Sequence, residues 1–451
     1  MDLAALAIRH VLYPLWALKN ASSRLQYLAQ LEESQYWSKE RLAEHQWACF
    51  RRLVTHAFDT CPYYRKTFRE AGISPTDLRS QEDIDKIPIL TKEAIQEHRD
   101  EMISARYCKD GLIQDMTGGS TGSPMQFYYD EDRLDSRVAA TLRHNRWAGW
   151  DIGDRAAILW GAPRDTRVSG NLKDSVRDWI LERRLILDAS SLDEGSMYEF
   201  AQKLIRFQPT ILLAYANTLG LFARYVKAVN IEGISPKGII CSAEVLTEEN
   251  RSLIEQTFGC PVYNRYGSRE FAVIASECER HKGMHVNAEN LYIEVLASGN
   301  GSGDKDGEIV ITDLRNYAMP MIRYQTRDMG YLKSSDCDCS RGLPLLELGG
   351  GRVTDFLTRT DGKKVSGIVL ATYVITNIPG IKQIQFIQTE LSKVTINLVK
   401  GHDWSSQSLD LLTKKSRIYL GEDMMIQVVF QKIIPLEQSG KYRFSISHVH
   451  E

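Results

Sequence analysis

No run of about eighteen clean apolar residues occurs in this 451-residue chain, so no segment is expected to span a membrane. Charge of one sign is missing too. The chain has 56 Lys and Arg against 58 Asp and Glu, a formal charge of −2, which removes any global electrostatic case for nucleic-acid binding. Cysteine is scarce: eight residues cannot build a disulfide scaffold at this length. Unpaired cysteines in a reducing, cytoplasmic compartment are expected, with one metal cluster as the exception. Met1 to Lys19 leans apolar but carries Asp2, Arg9, His10 and Lys19, and no small-residue cleavage site follows, so it does not read as a signal peptide. There is no internal repeat, no low-complexity tract and no credible Ser-His-Asp set.

What is present is an ordinary globular composition, 43% hydrophobic and 25% charged. The length exceeds one ordinary core, so two or three domains are expected. Residues 1–110 read as helices. The first, 3–18, should be kinked near Pro14 and packed on the body, or else be an interfacial helix touching a membrane or a membrane-bound complex. Helices at 29–50 and 51–58 would be anchored by Trp37, Trp47 and Phe50. Cys61-Pro62 should end that region, and Thr91 should cap a new helix.

From 126 to 350 short apolar strands (156–160, 211–214, 238–241, 262–264) alternate with helices (197–207, 218–229), which argues for an α/β layered core. Residues 291–296 and 308–312 alternate like antiparallel strands. Beyond Gly351 the pattern becomes a small α+β unit: strands at 384–388, 393–398 and 425–430, with a helix at 405–418. Gly349-Gly350-Gly351 marks the boundary, and three glycines give a hinge its backbone freedom. The expected domains are 1–351, with 1–110 as a helical lead-in, and a mobile lid, 352–451.

Thr117-Gly118-Gly119-Ser120-Thr121-Gly122-Ser123-Pro124 has the composition of a phosphate-cradling loop, because glycines turn backbone N–H groups toward one anion and hydroxyls add donors. It lacks the Gly-Lys-Ser/Thr ending of a P-loop. Tyr266-Gly267-Ser268-Arg269-Glu270 follows a strand-like run and offers a carboxylate for magnesium. Arg323-Tyr324-Gln325-Thr326-Arg327-Asp328, the Gly351-Arg352 pair and Gly440-Lys441 complete an order of parts suited to a nucleotide-using enzyme.

These motifs, in this order over nearly the whole chain, resemble the adenylate-forming ligases, which include the acyl-coenzyme A synthetases. The resemblance is nearest to their phenylacetate–coenzyme A ligase branch and its capsular-polysaccharide (CapK) type, which Leu12-Tyr13-Pro14-Leu15-Trp16 and 57–64 also resemble. It implies a large N-terminal α/β domain of mixed sheets, with a small β-barrel-like subdomain, under a C-terminal lid. Thr117, Gly118, Gly119, Ser120, Thr121 and Gly122 would hold ATP phosphates. The family often has lysine before the proline, where this chain has Ser123. Ser242, Ala243 and Glu244 would line the adenine side, Tyr266 with Gly267 would flank the base, and Ser268 would meet phosphate or the substrate carboxylate. Glu270 would bind Mg2+, Asp328 would accept from both ribose hydroxyls, and Arg352 would reach the nucleotide. Thr354 and Asp355 would lie at the pivot. Lys441 would bridge the attacking carboxylate and the α-phosphate in the closed lid, where it offsets charge gathering in the transition state.

Cys278, His285, Cys337 and Cys339 would give three thiolates and an imidazole, a closed tetrahedral structural zinc site, and similar patterns recur in the branch. His281 competes with His285 as the fourth ligand. Cys49, Cys61, Cys108, Cys241 and Cys260 read as packing residues. Trp160, Gly161, Tyr215, Ala216, Asn217, Thr218, Cys241 and Phe271 are candidates for an acyl-pocket wall.

The expected reaction joins a carboxylic acid and ATP to an acyl-adenylate with release of pyrophosphate, then transfers the acyl group to coenzyme A. An amine or hydroxyl acceptor, a released adenylated product and a non-catalytic nucleotide-binding scaffold in a polysaccharide assembly complex are the alternatives. A monomer or homodimer is expected, with no nucleic-acid partner.

Overall fold

The computed structural model describes residues 2–117, 125–160, 181–189, 192–297, 307–350, 353–354, 356–367, 370, 374, 378–434 and 443–449. The lead-in is helical, as expected. Leu3–Ala7 (α1) and Tyr13–Lys19 (α2) are joined without interruption by a π-turn, Ile8–Leu12. A proline ring clashes with the carbonyl four residues back in a regular helix. The wider π-turn just ahead of Pro14 relieves that clash, so the expected kink takes the form of a local widening.

Arg24–Ser34 (α3) precedes Lys39–Thr60 (α4), one helix where the periodicity suggested a break at residue 50. The break falls earlier, at Ser38, whose hydroxyl accepts the Arg41 N–H. Phe50 is fully buried with Trp47 stacked on it, while Trp37 lies half-buried between His45 and the Arg41 guanidinium. Cys61 is extended, and Pro62 opens a further helix, Pro62–Glu70 (α5), since proline at the first helical position lacks only an N–H that would be unpaired anyway. Thr91 caps Lys92–Met102 (α6) through its side chain, as the sequence indicates.

A hairpin of Ile113–Met116 (β1) and Gln126–Tyr129 (β2) brackets the glycine-rich loop, and Glu131–Trp147 (α7) follows. Ala156–Trp160 (β3), Arg184–Asp188 (β4), Ile211–Tyr215 (β5), Gly238–Ser242 (β6) and Val262–Ser268 (β7) pair in parallel. Glu194–Phe207 (α8), Ala216–Ala228 (α9) and Glu248–Phe258 (α10) connect them. β5 and β6, in the middle of this half, are buried on both faces, which explains their continuous apolar runs.

At β7 the direction of pairing reverses. Ala272–Glu277 (β8), Met284–Val286 (β9), Leu291–Ala297 (β10), Gly307–Asp313 (β11), Tyr324–Leu332 (β12) and Leu345–Gly350 (β13) extend the same ladder antiparallel. The result is one eleven-stranded sheet in the order 10-11-12-13-9-8-7-6-5-3-4. The strands expected as a barrel-like subdomain are thus continuous with the parallel half.

The C-terminal part is a second unit. Val353–Thr354 (β14), Phe356–Thr358 (β15), Lys364–Ser366 (β16), Ile381–Glu390 (β17), Lys393–Lys400 (β18), Ser406–Leu420 (α11), Met425–Phe430 (β19) and Arg443–Ser447 (β20) build a five-stranded sheet, ordered 14-20-17-18-19, and a β15–β16 hairpin. It has its own core around Phe386, Phe444 and Leu412. It touches the larger part where Leu192 and Lys364 exchange two backbone hydrogen bonds, at 2.9 and 2.7 Å, beside a Lys363–Asp193 ion pair at 3.4 Å. Among the described residues, no helix is long and apolar enough to cross a membrane.

Candidate functional site

β7 and β8 meet in a tight turn at the place where parallel pairing gives way to antiparallel, and this turn carries Ser268, Arg269 and Glu270. Gly267 is required there: a Cβ would lie 2.5 Å from the Ala272 carbonyl oxygen. Ser268 Oγ accepts the Phe271 N–H at 3.3 Å and so closes the turn.

Two carboxylates converge on it, each held by a phenol. The Tyr266 hydroxyl donates to Asp328 Oδ2 at 2.7 Å, and the Tyr324 hydroxyl donates to Glu270 Oε1 at 3.4 Å. Burial holds the Tyr266 phenol well above its ordinary pKa, and the Asp328 charge pushes the same way, so it remains a donor. Asp328 lies on β12, whose start is fixed by Arg323. This buried guanidinium pairs with Glu294 at 2.8 Å and Asp85 at 2.9 Å and donates to the Ile87 carbonyl. The helical lead-in is thereby fastened to the strand that carries Asp328.

The glycine-rich loop emerges beside this turn. Thr117, at its base, donates its N–H to the Met125 carbonyl at 2.9 Å and accepts the Met125 N–H on Oγ1 at 3.0 Å. Asp115, on β1, stands 3.8 Å from the Arg269 guanidinium, and Arg137 of α7 donates to the Arg269 carbonyl. Gly118, Gly119, Ser120, Thr121 and Gly122 lie outside the described residues, as do Gly161, Arg352, Asp355 and Lys441.

On the other side, Ser242 ends β6 and donates to the Arg265 carbonyl at 3.0 Å. Ala243 takes a left-handed backbone, φ 66°, and Glu244 accepts the Asn217 N–H at 2.7 Å at the start of α9. The described motif residues are therefore gathered at the ends of β6 and β7 and on the middle of β12. Among the candidate acyl-wall residues, Trp160 and Tyr215 pack ring against ring at 4.0 Å. Cys241 and Ala216 instead belong to the core between sheet and helices.

Tyr324, Arg137 and Asp115 were not singled out from sequence. Tyr324 was findable, because it lies in the same string as Asp328 at even spacing, which puts both on one face of a strand. Arg137 carried no such signal. It is buried, with its guanidinium over the Tyr129 ring, and desolvation pulls its pKa down.

At the other end of β8 lies the second cluster. Cys278, His285, Cys337 and Cys339 present donor atoms all within 4.8 Å of one another. Cys278 Sγ is 3.7 Å from Cys337 Sγ, and Cys339 Sγ is 3.3 Å from His285 Nε2. His285 Nδ1 lies 3.3 Å from the Leu343 carbonyl, which places the ring proton there and leaves the Nε2 lone pair facing the thiols. Burial lowers the His285 pKa to about 4, so the imidazole is neutral, as a ligand must be. The donor set suits zinc. His281 is not part of the cluster: its ring bonds Glu277 at 3.1 Å and stands against Tyr263.

Of the cysteines read as packing residues, Cys108 differs, being exposed, while Cys49 is packed in the core with Arg52 at 3.0 Å and His45 at 3.5 Å from its sulfur, contacts that outweigh burial and lower its pKa.

Residues 357–448 match the CapK C-terminal domain family. Protein CapK of Staphylococcus aureus is 25% identical over 411 residues, covering 89% of this chain and 88% of that protein. Phenylacetate–coenzyme A ligase of Pseudomonas putida is 28% identical over 312 residues, covering 67% of this chain and 69% of the enzyme. Among solved structures, a 2-hydroxyisobutyryl-CoA ligase in complex with 2-HIB-AMP and CoA superposes with a TM-score of 0.62 at 18% identity, over 90% of each chain. The fold is thus that of the adenylate-forming coenzyme A ligases.

Proposed function

We propose that this relative of CapK and the phenylacetate–coenzyme A ligases activates a carboxylic acid with ATP and passes the acyl group to coenzyme A. In the first step a carboxylate oxygen attacks the α-phosphorus of ATP. The bond to the bridging oxygen breaks, and pyrophosphate leaves with that electron pair. In the second step the sulfur of coenzyme A attacks the acyl carbon. The bond to AMP breaks, AMP departs with its electrons, and the thiol proton passes to solvent.

The observation that carries this reading is the pairing of Glu270 with Tyr324 and of Asp328 with Tyr266 beside the base of the glycine-rich loop. Among the described residues each carboxylate is held by one phenol and keeps further lone pairs. Asp328 would accept from the vicinal hydroxyls of ribose, with Tyr266 flanking the adenine. Glu270 would hold Mg2+, which offsets phosphate charge when bound. The loop amides from Gly118 to Gly122 would cradle the phosphates, and Ser268 would orient the acid or its phosphate. Residues 352–451 would form the lid, pivoting at Gly349–Arg352 and delivering Lys441 to the α-phosphate only when closed, with water excluded.

The Cys278–His285–Cys337–Cys339 cluster would hold a structural Zn2+, since four protein donors leave no position for water or substrate. Its second role is mechanical. The loop bearing Cys337 and Cys339 is tied to the lead-in by Arg341 and Gly342, which bond the Gln35 side chain and carbonyl. Eight cysteines without a disulfide support a reducing, cytoplasmic setting.

The test is carboxylate-dependent exchange of pyrophosphate into ATP across aryl, fatty, hydroxy and amino acids. Exchange with one acid class, absent in Lys441→Ala, is the expected result. A protein that binds ATP yet exchanges with no acid would be a nucleotide-binding scaffold, contrary to this reading.

A further inference from the structure

The segment Leu3–Lys19 carries one apolar face more than its packing uses. Its inner face, Ala5, Ile8, Tyr13 and Ala17, is buried, and Ile8 and Tyr13 join the cluster containing Leu28, Ala140 and Trp150. The π-turn keeps that face in register, because it places Ile8 and Tyr13, five residues apart, one above the other. Ion pairs fix the rotation. Arg9 reaches Asp151 at 3.3 Å and Asp154 at 3.2 Å, and Asp2 takes Arg183 at 2.7 Å. The outer face therefore cannot turn inward, and it presents Leu3 (71% exposed), Val11 (51%), Leu12 (41%), Leu15 (58%) and Leu18 (80%).

We propose that this face lies in the interfacial layer of a lipid bilayer, making the protein a peripheral membrane protein. At these exposures the five side chains offer on the order of 500 Å² of apolar surface, as large as the largest patch on an ordinary monomer. A stable contact with a second copy needs about 800 Å² per partner and a complementary surface. An interfacial helix needs neither, because each side chain enters the lipid on its own. Charge points the same way. Leu3–Lys19 contains no carboxylate, and the Asp2 that caps it is turned to Arg183 and to the Ala5 amide, while His10 and Lys19 stand exposed. No free acid on this face opposes lipid phosphate. A single stripe of this size holds weakly and reversibly, and the inference is independent of the reaction proposed above.

The test is flotation of the full chain with vesicles of equal parts phosphatidylcholine and phosphatidylglycerol. The wild type is expected to float, and Leu15→Glu/Leu18→Glu to lose about tenfold or more of the bound fraction. Both side chains are exposed, so the melting temperature should not move. Wild type that stays at the bottom overturns the proposal, as does a variant that floats equally well. A wild-type dimer that the variant dissolves, with no flotation by either, assigns the face to a second copy instead.

Discussion

β8 joins two polar clusters that could hardly be built more differently. Glu270 lies just before the strand and Cys278 just after it, some 20 Å apart for a strand of this length. At the Glu270 end, each carboxylate is partly exposed and engages one phenol in the bonds observed here. At the Cys278 end, four donors face one another, three of them buried. Acceptors with lone pairs to spare can take and release a ligand, whereas donors that face inward and use each other up can only hold the chain together. On the function proposed above, the sheet would carry an exchanging site at one end of this strand and a permanent one at the other.

The sharpest break of this comparison is Lys441→Ala. It should lower adenylation on the order of a thousandfold and leave the melting temperature unchanged, checked by pyrophosphate exchange and calorimetry. A fall in stability would mean that the lysine holds structure instead.

The converse change is Cys337→Ser. It should abolish bound zinc by elemental analysis and lower the melting temperature by on the order of 5–10 °C. Removing zinc from the wild type with a chelator should reproduce the shift. A wild type that contains no zinc would contradict the metal assignment.

Asp328→Asn removes the charge that Tyr266 holds and should weaken ATP binding by about tenfold without a change in melting temperature. The smallest effect is expected of Tyr324→Phe. It frees Glu270 from its phenol, should raise KM for Mg·ATP a few-fold and leave kcat nearly unchanged.

The sequence made the exchanging site more legible than the permanent one. Glycines, hydroxyls and carboxylates in a fixed order point to a nucleotide site before any fold is known, and strand alternation placed β10 and β11 to within one residue at each end. Which histidine faces the thiols was not readable, because His281 and His285, three and seven residues after Cys278, both offer an imidazole within reach of it. Only the antiparallel return of β9 beside β8 turns His285 in and leaves His281 to Glu277. Pairing across the sheet was equally hidden: nothing local says that the antiparallel strands continue the parallel ladder. The single helix through residue 50 was missed although Ser38 stood as its cap, because the apolar spacing was weighed ahead of the capping signal. Arg137 gave no signal at all, since its role depends on a backbone carbonyl 132 residues away.

The most direct test of the two-site account is calorimetric titration of ATP and Mg2+ into the wild type and Asp328→Asn. The account predicts a binding isotherm for the wild type and an affinity about tenfold lower for the variant at equal stability. Equal affinities would contradict it, because the carboxylate held by Tyr266 would then not be part of the nucleotide site.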